Sequence, residues 1–206
     1  MRLLELFSGT GSIGTVFKEH GWEVISLDRD MPADIQMDIL NWDYRNAPYQ
    51  PKHFDVIWAS PPCTEYSRAK TVGIRQIEFA NRIVQRTLDI IHYFDPEIYF
   101  LENPQTGLLK NQPFMQALPY NDADYCKYGM RYRKRIRLWN NSIHFYPKLC
   151  HRDCDAMNER RSRHEETAQQ GVTTHSRVRH RLRELYVVPR ALVEEIVAAV
   201  TADLSE

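Results

Sequence analysis

The chain has 206 residues, 43% apolar and 11% aromatic, with 27 Lys and Arg against 27 Asp and Glu and four cysteines. That length and composition suit one domain with a substantial core and exclude a disordered or fibrous chain. No apolar run approaches the roughly 18–20 residues of a bilayer span, and no signal-peptide pattern opens the chain, so the thiols of Cys63, Cys126, Cys150 and Cys154 read as reduced and the expected location is intracellular, cytoplasmic or nuclear. In chain order, residues 2–7 are apolar enough for a buried parallel strand and run into Ser8-Gly9-Thr10-Gly11-Ser12-Ile13-Gly14. Residues 15–20 read as a short helix closed by Gly21, and residues 22–27 as a second strand ending on Asp28. A third strand, 54–59, ends in Ser60-Pro61-Pro62-Cys63. The spacing of Ile77, Ala80, Ile83, Val84, Leu88 and Ile91 predicts an amphipathic helix over 74–94. Residues 97–101 form a strand leading into Glu102-Asn103-Pro104.

Strands alternating with helices, each strand ending in a polar or Gly-rich turn, predict an α/β fold with a mostly parallel, doubly wound sheet. Ligands in such sheets lie beyond the carboxyl ends of the strands, where the Gly-rich turn, Asp28, Cys63 and Glu102 fall. Farther on, 124–126 and 136–139 look like strands around a basic turn. Residues 147–176 are polar, Arg- and His-rich and weakly patterned, an insert or loop, and Pro189 opens a closing helix with Leu192, Ile196, Val197 and Val200 on its apolar face. Charge is distributed unevenly. Residues 1–125 carry 11 basic and 17 acidic side chains, net −6; residues 126–190 carry 16 and 6, net +10; residues 191–206 carry four acids and no Lys or Arg. Such separation suggests a nucleic-acid-facing surface, with a solvated basic face as the alternative.

Glycines after a first strand let a ligand approach the backbone and the helix N-terminus. Such turns serve dinucleotides, phosphates or packing alone, but Phe7 and the order Phe7-x-Gly9-x-Gly11 favour S-adenosylmethionine. Asp28 suits two ribose hydroxyls, and Asp38 could accept from an adenine amino group. Two prolines hold the Cys63 thiol just past a strand end, where it is either a nucleophile or a small buried hydrophobe. Glu102, at the end of another core strand, supplies a proton-handling partner for a nucleophile.

Leu6-Phe7-Ser8-Gly9-Thr10-Gly11, Asp28, Asp38, Pro61-Pro62-Cys63 and Glu102-Asn103-Pro104, in this order and spacing, closely resemble the DNA (cytosine-5) methyltransferases. The resemblance is strong over 1–104, moderate over 125–139 and weak over 177–197. It implies a Rossmann-like methyltransferase fold and methyl transfer from S-adenosylmethionine to carbon 5 of a cytosine flipped out of DNA, in DNA methylation or restriction-modification. Cys63 would add to carbon 6 and Glu102 would contact ring nitrogen 3 and the exocyclic amine. Phe7, Ser8, Gly9, Thr10, Gly11, Asp28, Asp38, Ile39 and Pro61 would hold the cofactor, and Ser67 and Asn103 would shape the nucleophile loop on the DNA side.

Four departures follow. Asp28 stands where the family usually has Glu. In place of a Gln-x-Arg-x-Arg strand after Tyr128-Gly129 the chain has 130–137. Ungapped, Lys134 and Ile136 take the two Arg positions; shifted by one residue, Arg135 and Arg137 do. Lys134, then Arg135, is expected to polarise cytosine oxygen 2, and Arg131, Arg133 and Arg137 to meet DNA, as phosphate contacts in the plainer reading. Leu185-Tyr186-Val187-Val188-Pro189 lacks the Asn of the family's closing motif. Finally, only about 40 residues, 140–180, stand in place of a target-recognition domain, so the chain reads as a single catalytic domain of low specificity or one served by a specificity partner or dimer. Cys150 and Cys154, with His164 or His175, could form a zinc tether for this insert, although no second ligand pair is visible and ordinary loop residues would read the same. An RNA substrate, or a non-catalytic subunit of a two-chain enzyme, are the competing functions.

Overall fold

Alternation along the first strand decides how the sheet is buried. In the computed structural model, which describes residues 1–168, 178 and 180–206, β1 (Arg2–Leu6) points Leu3 to one face and Leu4 and Leu6 to the other. The same alternation runs through β4 (Val56–Ala59), where Val56 and Trp58 share Leu3's face and Ile57 and Ala59 share Leu4's. Both faces are therefore covered, as a parallel sheet requires. α1 (Ser12–Glu19) and α4 (Arg190–Asp203) lie over the first face with Val16, Phe17, Leu192, Ile196 and Val200; α2 (Ile77–Phe94) lies over the second with Ile83, Val84, Ile90 and Phe94.

The other strands are β2 (Glu23–Asp28), β3 (Ile35–Gln36), β5 (Ile98–Pro104), β6 (Tyr120–Asp124) and β7 (Arg135–Asn140), and α3 spans Leu182–Tyr186. The seven strands are ordered β3-β2-β1-β4-β5-β7-β6. All pairings are parallel except those of β7, which runs antiparallel to β5 and β6. The expected α/β class and mostly parallel sheet are present. Among the described residues no helix is long and apolar enough to cross a membrane.

Local chemistry moves several boundaries. α2 starts at Ile77, not residue 74, because Arg75 belongs to the loop after Cys63: its Nη1 donates to the carbonyls of Glu65 and Ser67 and its Nη2 to that of Lys70. The Gln76 N–H donates to Glu65 Oε2 at 2.7 Å, which fixes the first turn. Residues 124–126 are not a strand. β6 ends at Asp124, and Tyr125–Tyr128 form one 3-10 turn that Gly129 closes at φ 92°, in the left-handed region. The two-residue β3 and the five-residue α3 carry no period long enough to read. His175, read above as a ligand candidate, lies outside the described residues.

Glu5 falls on the α1 face of β1 and is 3% exposed. Its carboxyl accepts the backbone N–H groups of Gly14 and Ile13, and a Cβ on Gly14 would collide with it. Burial pushes its pKa up to about 7 despite those donors and Lys18, with Asp28 adding to the rise. The folded state thus holds a proton that the unfolded chain releases nearer pH 4.5. This group's contribution to stability is complete below that pH and is lost as pH climbs through about 7, a change of roughly 3 kcal/mol. Glu5→Gln, neutral throughout, should gain melting temperature over the parent between pH 5 and pH 8. A difference in melting temperature that stays constant with pH would refute the raised carboxyl.

Candidate active site

Between β1 and α1 the backbone passes through the left-handed region at Phe7 (φ 59°), Gly9 (φ 51°) and Gly11 (φ 69°). For Phe7 that conformation is a strain that the surrounding packing must hold. Gly11 N donates to Ser8 O at 2.7 Å, and Gly11 is the N-cap of α1. Asp28 binds this turn to the end of β2: its Oδ2 accepts from Gly9 N at 2.8 Å and its Oδ1 from Asp30 N and Met31 N, each at 2.8 Å. A carboxylate offers about four acceptor positions, so three are occupied by backbone. Asp38 is half-buried beyond β3; its Oδ1 accepts from Leu40 N at 2.9 Å and its Oδ2 lies 3.7 Å from Arg29. Ile39 and Pro61 are buried, and Ser8 and Thr10 sit in the turn.

These residues meet at the ends of β1 to β4. In the order β3-β2-β1-β4-β5, successive crossovers leave β1 in opposite directions, which opens a crevice between the ends of β1 and β4. The Gly-rich turn follows β1 and Pro61-Pro62-Cys63 follows β4, two strands whose ends lie side by side with Leu6 opposite Ala59. A cradle of left-handed backbone, two partly solvated carboxylates and an apolar floor fits a nucleoside-bearing cofactor with ribose hydroxyls.

Cys63 is half-buried just past β4. The turn after it is closed by Tyr66 N donating to Cys63 O at 3.0 Å, and Asn103 Nδ2 donates to Pro61 O at 2.9 Å from the end of β5. Glu102, one residue earlier, points to the opposite face and is 8% exposed. It hydrogen-bonds the Ser60 hydroxyl, which accepts from Trp58 Nε1 at 2.8 Å, while its Oε1 is buried without a partner. Burial raises the Glu102 pKa, opposed by Lys134 and Ser60. Burial also raises the Cys63 thiol, with Glu102 adding to the shift and Lys134 opposing it. The structure therefore brings Cys63, Glu102 and Lys134 within electrostatic reach of one another. The buried Tyr125 hydroxyl, also without a partner, feels both Glu102 and Cys63.

Of the two cations expected here, Lys134 faces the site. Its Nζ donates to Leu185 O at 2.9 Å and lies 4.9 Å from the centre of the Tyr125 ring. Arg135 is paired with Asp124 through Nε at 2.9 Å and Nη2 at 2.5 Å. Arg137 is paired with Asp122 and stacked 3.5 Å above the Tyr120 ring. Neither guanidinium turns toward Cys63, because the β6–β7 register sets Asp124 opposite Arg135 and Asp122 opposite Arg137. Arg131 and Arg133 are exposed, with Arg131 beside Glu165 and Glu166 and Arg133 3.5 Å from Asp124. Ser67 lies in the loop after Cys63, where its Oγ accepts from Ala69 N at 3.2 Å. The closing segment comes back to the crevice, since Val188 N donates to Ser12 Oγ at 3.2 Å and Tyr186 lies close enough to Cys63 to be affected by it.

Sequence reasoning missed Ser60, Tyr125 and the Leu185 carbonyl. Ser60 immediately precedes the double proline, a signal that was available. Tyr125 and Leu185 reach the site only through tertiary packing.

No protein-family model matches the chain. A curated protein of Frog virus 3 (isolate Goorha), named "Probable DNA (cytosine-5)-methyltransferase", is 33% identical over 216 aligned positions, covering 95% of this chain and 98% of that protein. Among solved structures, a chain assigned as a DNA modification methyltransferase encoded within a prophage (E. coli) shares the fold with a TM-score of 0.52 at 16% identity. That match covers 72% of this chain and 51% of the other, so the chain spans about half the length of that structural relative.

Proposed function

The chain belongs to the DNA (cytosine-5)-methyltransferase family, and from that premise we propose that it transfers a methyl group from S-adenosylmethionine to carbon 5 of cytosine in DNA. What carries this reading is the crevice at the strand ends, where a thiol, a buried acid with an unpartnered oxygen and a lysine stand beside a Gly-rich turn. Phe7, Ser8, Gly9, Thr10 and Gly11 would take the cofactor along the backbone, Asp28 and Asp38 its hydroxyls and adenine amine, and Ile39 and Pro61 its apolar faces. When bound, S-adenosylmethionine supplies the electrophilic methyl group.

Carbon 5 of cytosine is a poor nucleophile until carbon 6 is attacked. The Cys63 thiolate forms a bond to carbon 6, and the displaced π electrons make carbon 5 an enamine carbon. Glu102, whose carboxyl burial holds protonated to higher pH than an ordinary glutamate, donates in its acid form to ring nitrogen 3 and so neutralises the charge that develops there. Lys134 favours the Cys63 thiolate and is the cation best placed to polarise cytosine oxygen 2. After methylation ring nitrogen 3 returns its proton to Glu102, carbon 5 gives up its own proton to a base, the carbon 6–sulfur bond breaks, and Cys63 departs with the bonding pair as thiolate. An attack on the ring face requires the cytosine to leave the duplex. Asn103 and Ser67 hold the Cys63 loop, and Arg135 and Arg137 brace the basic strand through Asp124 and Asp122.

The 126–190 segment is the proposed DNA-facing surface. Arg131, Arg133, Arg152, Arg160, Arg161 and Arg163 are all exposed on it. If about five of these meet phosphates, the logarithm of affinity should fall with the logarithm of salt concentration at a slope of about −4.5. The test is incubation of the purified chain with duplex DNA and methyl-labelled cofactor, followed by nucleoside mass spectrometry. Label in 5-methyldeoxycytidine is expected. No label above a Cys63→Ala control overturns the reading and favours a non-catalytic subunit.

A further inference from the structure

Among the described residues, methyl transfer leaves unused a largely buried cluster of reactive side chains. Cys126, Cys150, Cys154 and His164 present three sulfurs and a ring nitrogen that all lie within 4.8 Å of one another. Cys150 Sγ and His164 Nε2 are 3.5 Å apart. All three cysteines are free and buried, at 6%, 4% and 6% exposure. We propose that these four residues form a Cys₃His zinc site that fastens the insert 141–168 to the catalytic core.

Three separate backbone segments deliver the ligands. Cys126 lies on the 3-10 turn after β6. Cys150 is held by its own N–H, which donates to Asp124 Oδ2 at 2.8 Å, and Cys154 follows on the same loop. A hairpin returns His164: Met157 and His164 are bridged, Glu165 N donates to Ala156 O at 2.9 Å, and the Asn158 side chain accepts from Ser162 N at 2.9 Å. Bonds of about 2.3 Å to sulfur and 2.0 Å to nitrogen place tetrahedral ligand atoms roughly 3.5–3.8 Å apart, which is the spacing of the Cys150–His164 pair. The backbone N–H groups of Arg152 and Asp153 face the Cys150 sulfur, and that of Ala156 faces Cys154, as donors to thiolate ligands would.

Two further observations point to a metal. Among the described residues, the apolar side chains clustered with the three cysteines are Ala156 and Met157, while Phe145 at the start of the insert joins the main core, too little to hold an insert of this length by burial alone. Three thiolates on Zn²⁺ leave one negative charge, and Lys127 acts electrostatically on Cys150 and Cys154 while Arg133 and Arg152 act on His164. Asp124 joins this site to the active site, because it holds both the Cys150 N–H and Arg135, one residue beyond Lys134.

The test is metal analysis of the full chain purified without chelator, which does not depend on activity. About one zinc per chain is expected. After exchange with Co²⁺, the protein should show intense tetrahedral ligand-field bands in the visible and thiolate-to-metal charge transfer in the near ultraviolet. Cys126→Ser and Cys154→Ser should each lose most of the bound metal, whereas Cys63→Ser should keep it. If the serine variants do not fold, His164→Cys decides: a four-thiolate site keeps the metal and strengthens the charge-transfer band by about a third, one thiolate added to three. A metal-free parent, a mass 2 Da low from a disulfide among Cys126, Cys150 and Cys154, or an unchanged charge-transfer band in His164→Cys would each overturn the proposal.

Discussion

Cys63→Ala should lower methyl transfer to cytosine by about 10⁴-fold or more, while cofactor affinity stays within a few-fold of the parent. The separation follows from the fold. Cys63 stands on the loop after β4, and the turn that would cradle the cofactor is built between β1 and α1. Removing the thiol takes away the only nucleophile in the proposed route, and without it carbon 5 never becomes nucleophilic. Single-turnover transfer together with cofactor binding by calorimetry measures both quantities. A duplex carrying 5-fluorocytosine sharpens the test, since fluorine cannot leave carbon 5 as a proton does and the elimination stalls. The parent should then remain covalently joined to DNA in a denaturing gel, and Cys63→Ala should not. Because burial and Glu102 push the thiol up, less thiolate is present near neutrality, and the parent's adduct formation should quicken with pH until the acid form of Glu102 is lost. Transfer that survives in Cys63→Ala, or an adduct that forms without Cys63, would rule the route out.

The parts of this site that could be read in the chain are those that one strand end supplies. Gly9, Gly11, Asp28, Cys63 and Glu102 each follow a recognisable apolar run, and a parallel sheet carries the ends of such runs to one edge. What could not be read depends on pairing between distant segments. The sequence admits two alignments of residues 130–137, of which the ungapped one, with Lys134, is the one expected. The antiparallel β6–β7 register separates them by placing Asp124 and Asp122 opposite Arg135 and Arg137, so that both guanidiniums are held, and of these three cations Lys134 is the one that acts on Glu102. The metal candidates show the same limit. Cys150 and Cys154 are visible as a spaced pair, but Cys126 joins them only because Cys150 N–H docks on Asp124, 26 residues earlier. Glu5 is instructive in the opposite direction: its place in an alternating strand puts an acid on a buried face, and only the helix packed above it explains why that is tolerated.

Glu102→Gln should reduce the transfer rate by about 10²- to 10³-fold, with little change in cofactor binding and no loss of fold. Glu102 lies almost wholly inside the protein, one oxygen hydrogen-bonded to Ser60 and Oε1 with no partner. A buried polar atom left unpaired costs the folded state about 1–3 kcal/mol, and a substrate ring that pairs with Oε1 would remove that cost. Burial holds the carboxyl protonated to higher pH than an ordinary glutamate, and Lys134 pulls the other way. In the protonated form the group can hand a proton toward ring nitrogen 3 as Cys63 adds. Glutamine has the same shape and can still donate to nitrogen 3, but it cannot transfer the proton. The pH profile distinguishes these roles. For the parent, the limb that reports Glu102 should fall as pH rises through its raised pKa, because the acid form is lost. Glu102→Gln has no such proton to lose, so its profile should lack that falling limb while keeping the rise that reports the Cys63 thiol. Cys63 should also become easier to ionise in the variant, since the carboxylate that opposes its thiolate is gone. Iodoacetamide modification of Cys63 measured against pH would report that change as a lower apparent pKa. An unchanged rate, or an alkaline limb that persists without the carboxyl, would exclude Glu102 as the acid that serves the ring.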